Sequence, residues 1–201
     1  KLSFEDVATI AYRRLLLLPP GEEPGLRVQA GYTNPFAKPP TKTNFNIQLT
    51  HANSAHICVV EVDPETGKAN ILKYVIVHDA GRTINPKIVE GMAIGSTASG
   101  IGGVLYEEFA FDENGNNLCL TFGEYLKPTA SEVPDIEVHE MQSPAPSTIL
   151  GTKAAGEGGA ITSLAAVTNA IEDALSPFGV KITELPLTPE RIWRLLRGVR
   201  K

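Results

Sequence analysis

The chain has 201 residues, 42% hydrophobic and 20% charged, which suits a folded domain and excludes wholesale disorder. Its formal net charge of -5 argues against nucleic acid as a partner, because such surfaces are basic. Cys58 and Cys119 form no CxxC pair, so they build neither an iron–sulfur cluster nor a structural zinc site; they read as two buried thiols in a reducing compartment.

Ser3 with Asp6 makes a capping-box-like start for a first helix, with Phe4, Val7, Ala8, Ala11, Leu15 and Leu18 near one face. The prolines Pro19 and Pro20 end it. GLRVQAGYT, residues 25–33, reads as a strand, and the proline-rich stretch after it as a loop. Residues 55–81 form the clearest hairpin, two β-branched runs around the turn Asp63 to Gly67. Its second strand, Ile71 to Val77, runs straight into His78, Asp79, Ala80 and Gly81. His51 and His56, five apart, fall on opposite sides of a strand and make a poor metal pair.

A helix follows, with Pro86 in its first turn and Asn85 as its cap. Gly91, Gly95, Gly100, Gly102 and Gly103 each weaken that helix by ~1 kcal/mol relative to alanine. Such a run makes sense where other backbone, or a ligand, packs closely. A second hairpin is expected with its turn at Asp112 to Gly115. DIEVHEM alternates as a one-sided strand, with Asp135, Glu137 and His139 on a solvated face. After GTKAAGEGGA comes a helix over ITSLAAVTNAIEDAL, capped by Thr162 or Ser163, with Leu164, Val167, Ile171, Ala174 and Leu175 as its apolar stripe. A short strand, Val180 to Ile182, precedes a last helix from Thr188-Pro189-Glu190 that carries Ile192, Trp193 and Leu196. The basic residues Arg191, Arg194, Arg197, Arg200 and Lys201 read as solvated surface near its end. The expected architecture is α+β: antiparallel or mixed sheets from β-hairpins, with packed helices. It forms one domain over 1–201, or two subdomains over 1–85 and 86–201. No signal peptide is visible and no apolar run approaches the ~18 residues of a membrane span, so the expectation is a soluble, cytoplasmic protein.

The sequence has no GxxxxGK[ST], no complete GxGxxG and no GxSxG. Glu157 stands out instead, a lone carboxylate among glycines and alanines just ahead of a helix N-terminus, where anions bind. It is either a turn glutamate in solvent or a working group aimed at a ligand.

Five stretches occur in a telling order: VHDAGRTINPKIVEGM, GIGGVLYEE, YLKPTASEVPDIEV, LGTKAAGEGGAI and LPLTPERIWRLL. Together, from about Asn44 to Arg197, they resemble the C-terminal part of the molybdopterin-binding large subunit of the xanthine dehydrogenase, aldehyde oxidase and carbon monoxide dehydrogenase family. The resemblance implies a molybdenum hydroxylase whose metal is held by a pyranopterin (molybdopterin or its cytosine dinucleotide) and by no protein side chain. It implies that Glu157, in the K-x-x-G-E stretch Lys153 to Glu157, is the catalytic base that takes a proton from a molybdenum-bound hydroxyl. Ser99, Gly100, Lys153 and Gly156 are the implied cofactor-binding residues. Ser99 stands where the family commonly has glutamine, and serine lacks the amide. The substrate would be carbon monoxide, a purine, an aldehyde or an N-heterocycle. The cofactor cleft would be shared with the rest of the large subunit, and electrons would pass to Fe–S and FAD on partner subunits or domains, in a homo- or hetero-oligomer. The chain starts at Lys1 and reads as a fragment or a processed or split-gene product, inactive without the remaining half. The alternative is a non-catalytic, detached domain serving as an assembly or interaction module.

Overall fold

The computed structural model describes residues 50–198. The helix expected over residues 3–18 and the strand over 25–33 lie outside them, as do Arg200 and Lys201.

The hairpin forms as its sequence suggests. Strand β1 (Asn53–Val62) pairs antiparallel with β2 (Ala69–Asp79), with a register irregularity between Val59 and Val60. The Asp63 carboxylate closes the turn by accepting from the Glu65 N–H at 2.9 Å and the Thr66 hydroxyl at 2.7 Å. Even-numbered residues of β1 point inward, and Tyr74, Ile76 and His78 of β2 do the same.

Helix α1 (Pro86–Leu105) follows, its first turn closed by the Asn85 side chain accepting from the Ile88 N–H at 3.3 Å. The chain then returns to lay β3 (Ile136–Glu140) parallel to β2, giving a mixed sheet in the order β1-β2-β3. A parallel pair needs a long crossover, and α1 with residues 106–135 supplies it. Helix α2 (Gly158–Ala174), a short 3-10 turn at Ser176–Phe178 and helix α3 (Pro189–Leu196) complete the described residues. The Thr188 hydroxyl caps α3 by accepting from the Arg191 N–H at 3.2 Å.

One core holds these elements. Tyr74 and Ile76 from β2 meet Ile101 and Val104 from α1, Val167 and Ile171 from α2, and Ile192 from α3. Residues on both sides of position 85 share it. The α+β class is therefore as the first hairpin and the helices indicate.

Four local expectations differ. The turn at Asp112 to Gly115 forms, but only an isolated bridge, Phe111 to Asn117, stands where strands were expected. The Asp112 carboxylate satisfies the loop by accepting from the N–H groups of Asn114 and Asn116, while Leu118 and Leu120 lie exposed with no sheet beneath them. Residues 180–182 form no strand, because the Ile182 N–H donates to Glu172 Oε2 at 2.8 Å instead of to a neighbouring chain. The cysteines are half-buried. Finally, α1 is long and apolar enough in composition to cross a membrane, against the expectation that no apolar run approaches that length. Its Ala93, Thr97, Gly100, Ile101 and Val104 are nonetheless buried within the fold.

Candidate functional site

Helix α2 starts at Gly158, four residues before the expected ITSL stretch, with Glu157 as its N-cap and no side-chain capping bond. The glycines explain the early start. A Cβ on Gly158 would sit 2.4 Å from His78 Cε1, and one on Gly159 would sit 2.0 Å from Ser96 Oγ and 2.5 Å from the Ala93 carbonyl oxygen. Bare backbone thus lets the first turn of α2 press into the angle between β2 and α1. Thr162 and Ser163, expected as caps, lie inside the helix. Thr162 shares a hydrogen bond of 2.8 Å with Ser54, whose hydroxyl also donates to the Gly158 carbonyl at 3.0 Å. The Ser163 hydroxyl donates to the Ala160 carbonyl. Of the expected stripe Leu164 is exposed while Val167, Ile171 and Leu175 are buried, joined by Gly159 and Ser163.

Upstream, the loop is tied to the end of β2. The Lys153 N–H donates to the Ala80 carbonyl at 2.8 Å, and the Gly151 carbonyl accepts from the N–H groups of Arg82 and Ala145, each at 2.9 Å. Beneath these bonds lies a buried ion pair. Lys153 Nζ is 2.8 Å from Asp79 Oδ2 and 2.6 Å from Ser143 Oγ. The Asp79 carboxylate also accepts from the Ser143 hydroxyl and from the N–H groups of Gly81 and Ser143, at 2.8 and 3.1 Å. Burial alone would push the Asp79 carboxyl up; the Lys153 ammonium and the Ser143 and Gly81 donors outweigh it and hold the carboxyl well below the usual range.

Between these anchorages Ala154, Ala155, Gly156 and Glu157 face an open cleft of about 700 Å³, whose wall also includes Asn53, Ser54 and Ile161. Glu157 is exposed there; its backbone carbonyl accepts from the Ile161 N–H at 3.2 Å, while its carboxylate has no hydrogen-bond or ion-pair partner among the described residues. Gly156 is in the same wall, with Met92 Cε 3.5 Å from where its Cβ would be. Ser99 is exposed on α1 and its hydroxyl donates to the Gly95 carbonyl at 3.3 Å.

Gly100 and Lys153 make contacts within the fold. A Cβ on Gly100 would fall 1.8 Å from Ser163 Oγ, so this glycine serves the contact between α1 and α2. The Lys153 ammonium is turned into the interior, away from the cleft. Of the remaining helix glycines, Gly102 and Gly103 are also packed, whereas Gly91 and Gly95 have nothing within 4 Å of a Cβ position.

His78, Asp79 and Ser143 did not stand out as site residues. His78 is 1% exposed with neither ring nitrogen partnered, and burial lowers its pKa despite the opposing charges of Asp79 and Glu140. The visible signal was a polar pair, His78-Asp79, closing an apolar strand. Glu137 and His139 pair with each other at 2.7 Å on the exposed face of β3, and Lys73 joins Glu137 at 3.3 Å. Among the described residues no group of three or more His, Cys, Asp or Glu side chains is placed to hold a metal ion.

Residues 1–134 match the family described as molybdopterin cofactor-binding domain. The chain is 38% identical over 199 residues to the nicotine 6-hydroxylase large subunit of Paenarthrobacter nicotinovorans, covering 99% of this chain and 23% of that protein. It is 31% identical over 194 residues to the carbon monoxide dehydrogenase large chain of Hydrogenophaga pseudoflava, covering 96% of this chain and 23% of the relative. Among solved structures, the quinoline 2-oxidoreductase of Pseudomonas putida 86 superposes with a TM-score of 0.71 at 40% identity, over 73% of this chain and 19% of that one. The chain thus spans less than a quarter of the length of these relatives.

Proposed function

The chain belongs to the molybdopterin cofactor-binding domain family, and on that premise we propose that it is the C-terminal part of the molybdenum-binding subunit of a hydroxylating oxidoreductase, with Glu157 as the proton acceptor. The observation that carries this reading is the Glu157 carboxylate, unpartnered on the wall of an open cleft and borne by a loop of alanine and glycine.

The residues present fit such a cofactor. Gly91 and Gly95 leave helix backbone bare on the exposed side of α1, which suits the close approach of a further surface, from the cofactor or the rest of the subunit. Ser99 and Gly156 are the proposed cofactor contacts, while Gly100 and Lys153 support them through packing and the ion pair. When bound, the pyranopterin would supply the redox chemistry. The work of this chain would be to hold a carboxylate where it can take a proton, on a loop whose alanines and glycine carry little bulk. Higher identity to the nicotine and quinoline enzymes than to carbon monoxide dehydrogenases favours an N-heterocycle as substrate. The remaining part of the large subunit, with iron–sulfur and flavin subunits, would complete the enzyme.

Molybdenum and pterin should co-purify with the chain when it is co-expressed with the remainder of its subunit. Persistent absence of both would leave only an assembly role. Glu157→Gln should keep cofactor content and melting temperature but lose most substrate-driven dye reduction, by about 100-fold or more, as expected for removing a general base. Unchanged turnover would take Glu157 out of the chemistry.

A further inference from the structure

We propose that the buried cluster of Asp79, Ser143 and Lys153 is a clamp that sets the position of the Glu157 carboxylate, so that Asp79 and Lys153 are positioning residues for the reaction. The proposal rests on the reading of Glu157 as the proton acceptor.

Only four residues, Ala154 to Glu157, lie between Lys153 and the first residue of α2. Three are alanine or glycine and offer little side chain to lock the loop. Its shape therefore depends on its two ends. The downstream end is held by the packing of Gly158 and Gly159 against His78 and α1, and by the bond from Ser54 to the Gly158 carbonyl. The upstream end is held by the clamp, where three separate segments meet: residues 79–82, 143–145 and 151–153. The Asp79 side chain is 7% exposed and the Lys153 side chain 12%, so the pair is shielded from water and from salt. Removing the ammonium would leave a buried carboxylate facing only the Ser143 hydroxyl and two N–H groups, a costly state that the loop relieves by moving. Asp79, Ser143 and Lys153 do not line the cleft, so their effect on chemistry passes through Glu157.

The test compares Lys153→Met, Asp79→Asn and the double variant with wild type and Glu157→Gln, in the protein purified with its cofactor and partners. Amide exchange by mass spectrometry should rise at least about tenfold at the Lys153 amide, bonded to the Ala80 carbonyl in the wild type, in Lys153→Met, with exchange across the β1-β2 hairpin unchanged. In the same variant kcat should fall by about tenfold or more while KM stays within about threefold, since misplacing a group by about an ångström carries penalties of that order. The double variant should be no worse than Lys153→Met alone, because the two residues act as a unit. Asp79→Asn keeps the acceptor oxygen and serves as the milder variant if Lys153→Met does not fold; it should change both readouts in the same direction. Wild-type loop exchange in the variants, or a raised loop exchange with unchanged kcat while Glu157→Gln is inactive, would overturn the clamp. Full turnover in Glu157→Gln would instead remove the reading on which the clamp rests.

Discussion

Two glycines on adjacent elements make opposite demands at the scale of single residues. Gly159 is pressed against Ser96 and the Ala93 carbonyl, so Gly159→Ala should destabilise the protein by about 1–3 kcal/mol in urea unfolding, the usual penalty of overpacking. Gly95 has open space where a Cβ would go, and Gly95→Ala should stabilise the isolated chain by about 0.5–1 kcal/mol through helix propensity. If that bare surface receives another body, the same Gly95→Ala should lower cofactor content or assembly when the rest of the subunit is present. His56 makes a second residue-scale prediction. Burial, and then the charge of His78, lower its pKa to about 4, while an unfolded histidine titrates near ~6.5. Between those values the unfolded chain binds a proton that the folded chain does not. The His56 contribution is therefore complete above about pH 6.5 and is lost as pH falls toward 4. Equilibrium unfolding across that window should show stability falling with acid, and His56→Gln should flatten the slope.

At the scale of elements, ends and junctions are held by single side chains whose loss can be measured. Thr188→Ala should cost about 1 kcal/mol by uncapping α3. Glu172 carries more than a surface pair. It accepts the Ile182 N–H at 2.8 Å and Lys181 Nζ at 2.8 Å, holding the segment after α2 where a strand would otherwise have satisfied the backbone. Glu172→Ala should cost about 1–3 kcal/mol, because a partly buried N–H loses its acceptor, whereas Lys181→Ala should cost under about 1 kcal/mol, as exposed pairs do. Equal effects of the two substitutions would refute that division. Elements marked by local chemistry were legible in the sequence: the hairpin from its Asp-Pro-Glu-Thr-Gly turn, α1 from Asn85 and Pro86, and α3 from Thr188 and Pro189. The start of α2 was not. Thr162 and Ser163 are good caps by type, but the two preceding glycines could extend the helix only because His78 and α1 leave room for backbone alone.

At the scale of the whole molecule, many large apolar side chains lie exposed among the described residues. Ile57 and Leu72 project from the outer face of the hairpin, and Leu120 and Phe122 are 79% and 80% exposed. Exposed apolar side chains of this kind suit contact with other protein, in keeping with a chain that spans less than a quarter of its relatives. The chain alone should bind a hydrophobic dye and elute above its 21.6 kDa monomer mass. Co-expression with the rest of the subunit should suppress both, and a dye-silent monomer would contradict this. The sequence by itself determined the elements whose signals lie within a few residues of one another, the α+β class that follows from them, and the order of motifs that marks the family. It also singled out Glu157 by its contrast with its neighbours. Tertiary structure alone decided which glycines meet packed backbone and which stay bare, and paired Lys153 with Asp79. Asp79 and Lys153 are 74 residues apart along the chain. Local propensity carries no information about a contact between residues so far apart, because it exists only once β2, the loop after β3 and the segment before α2 have been brought together by the core.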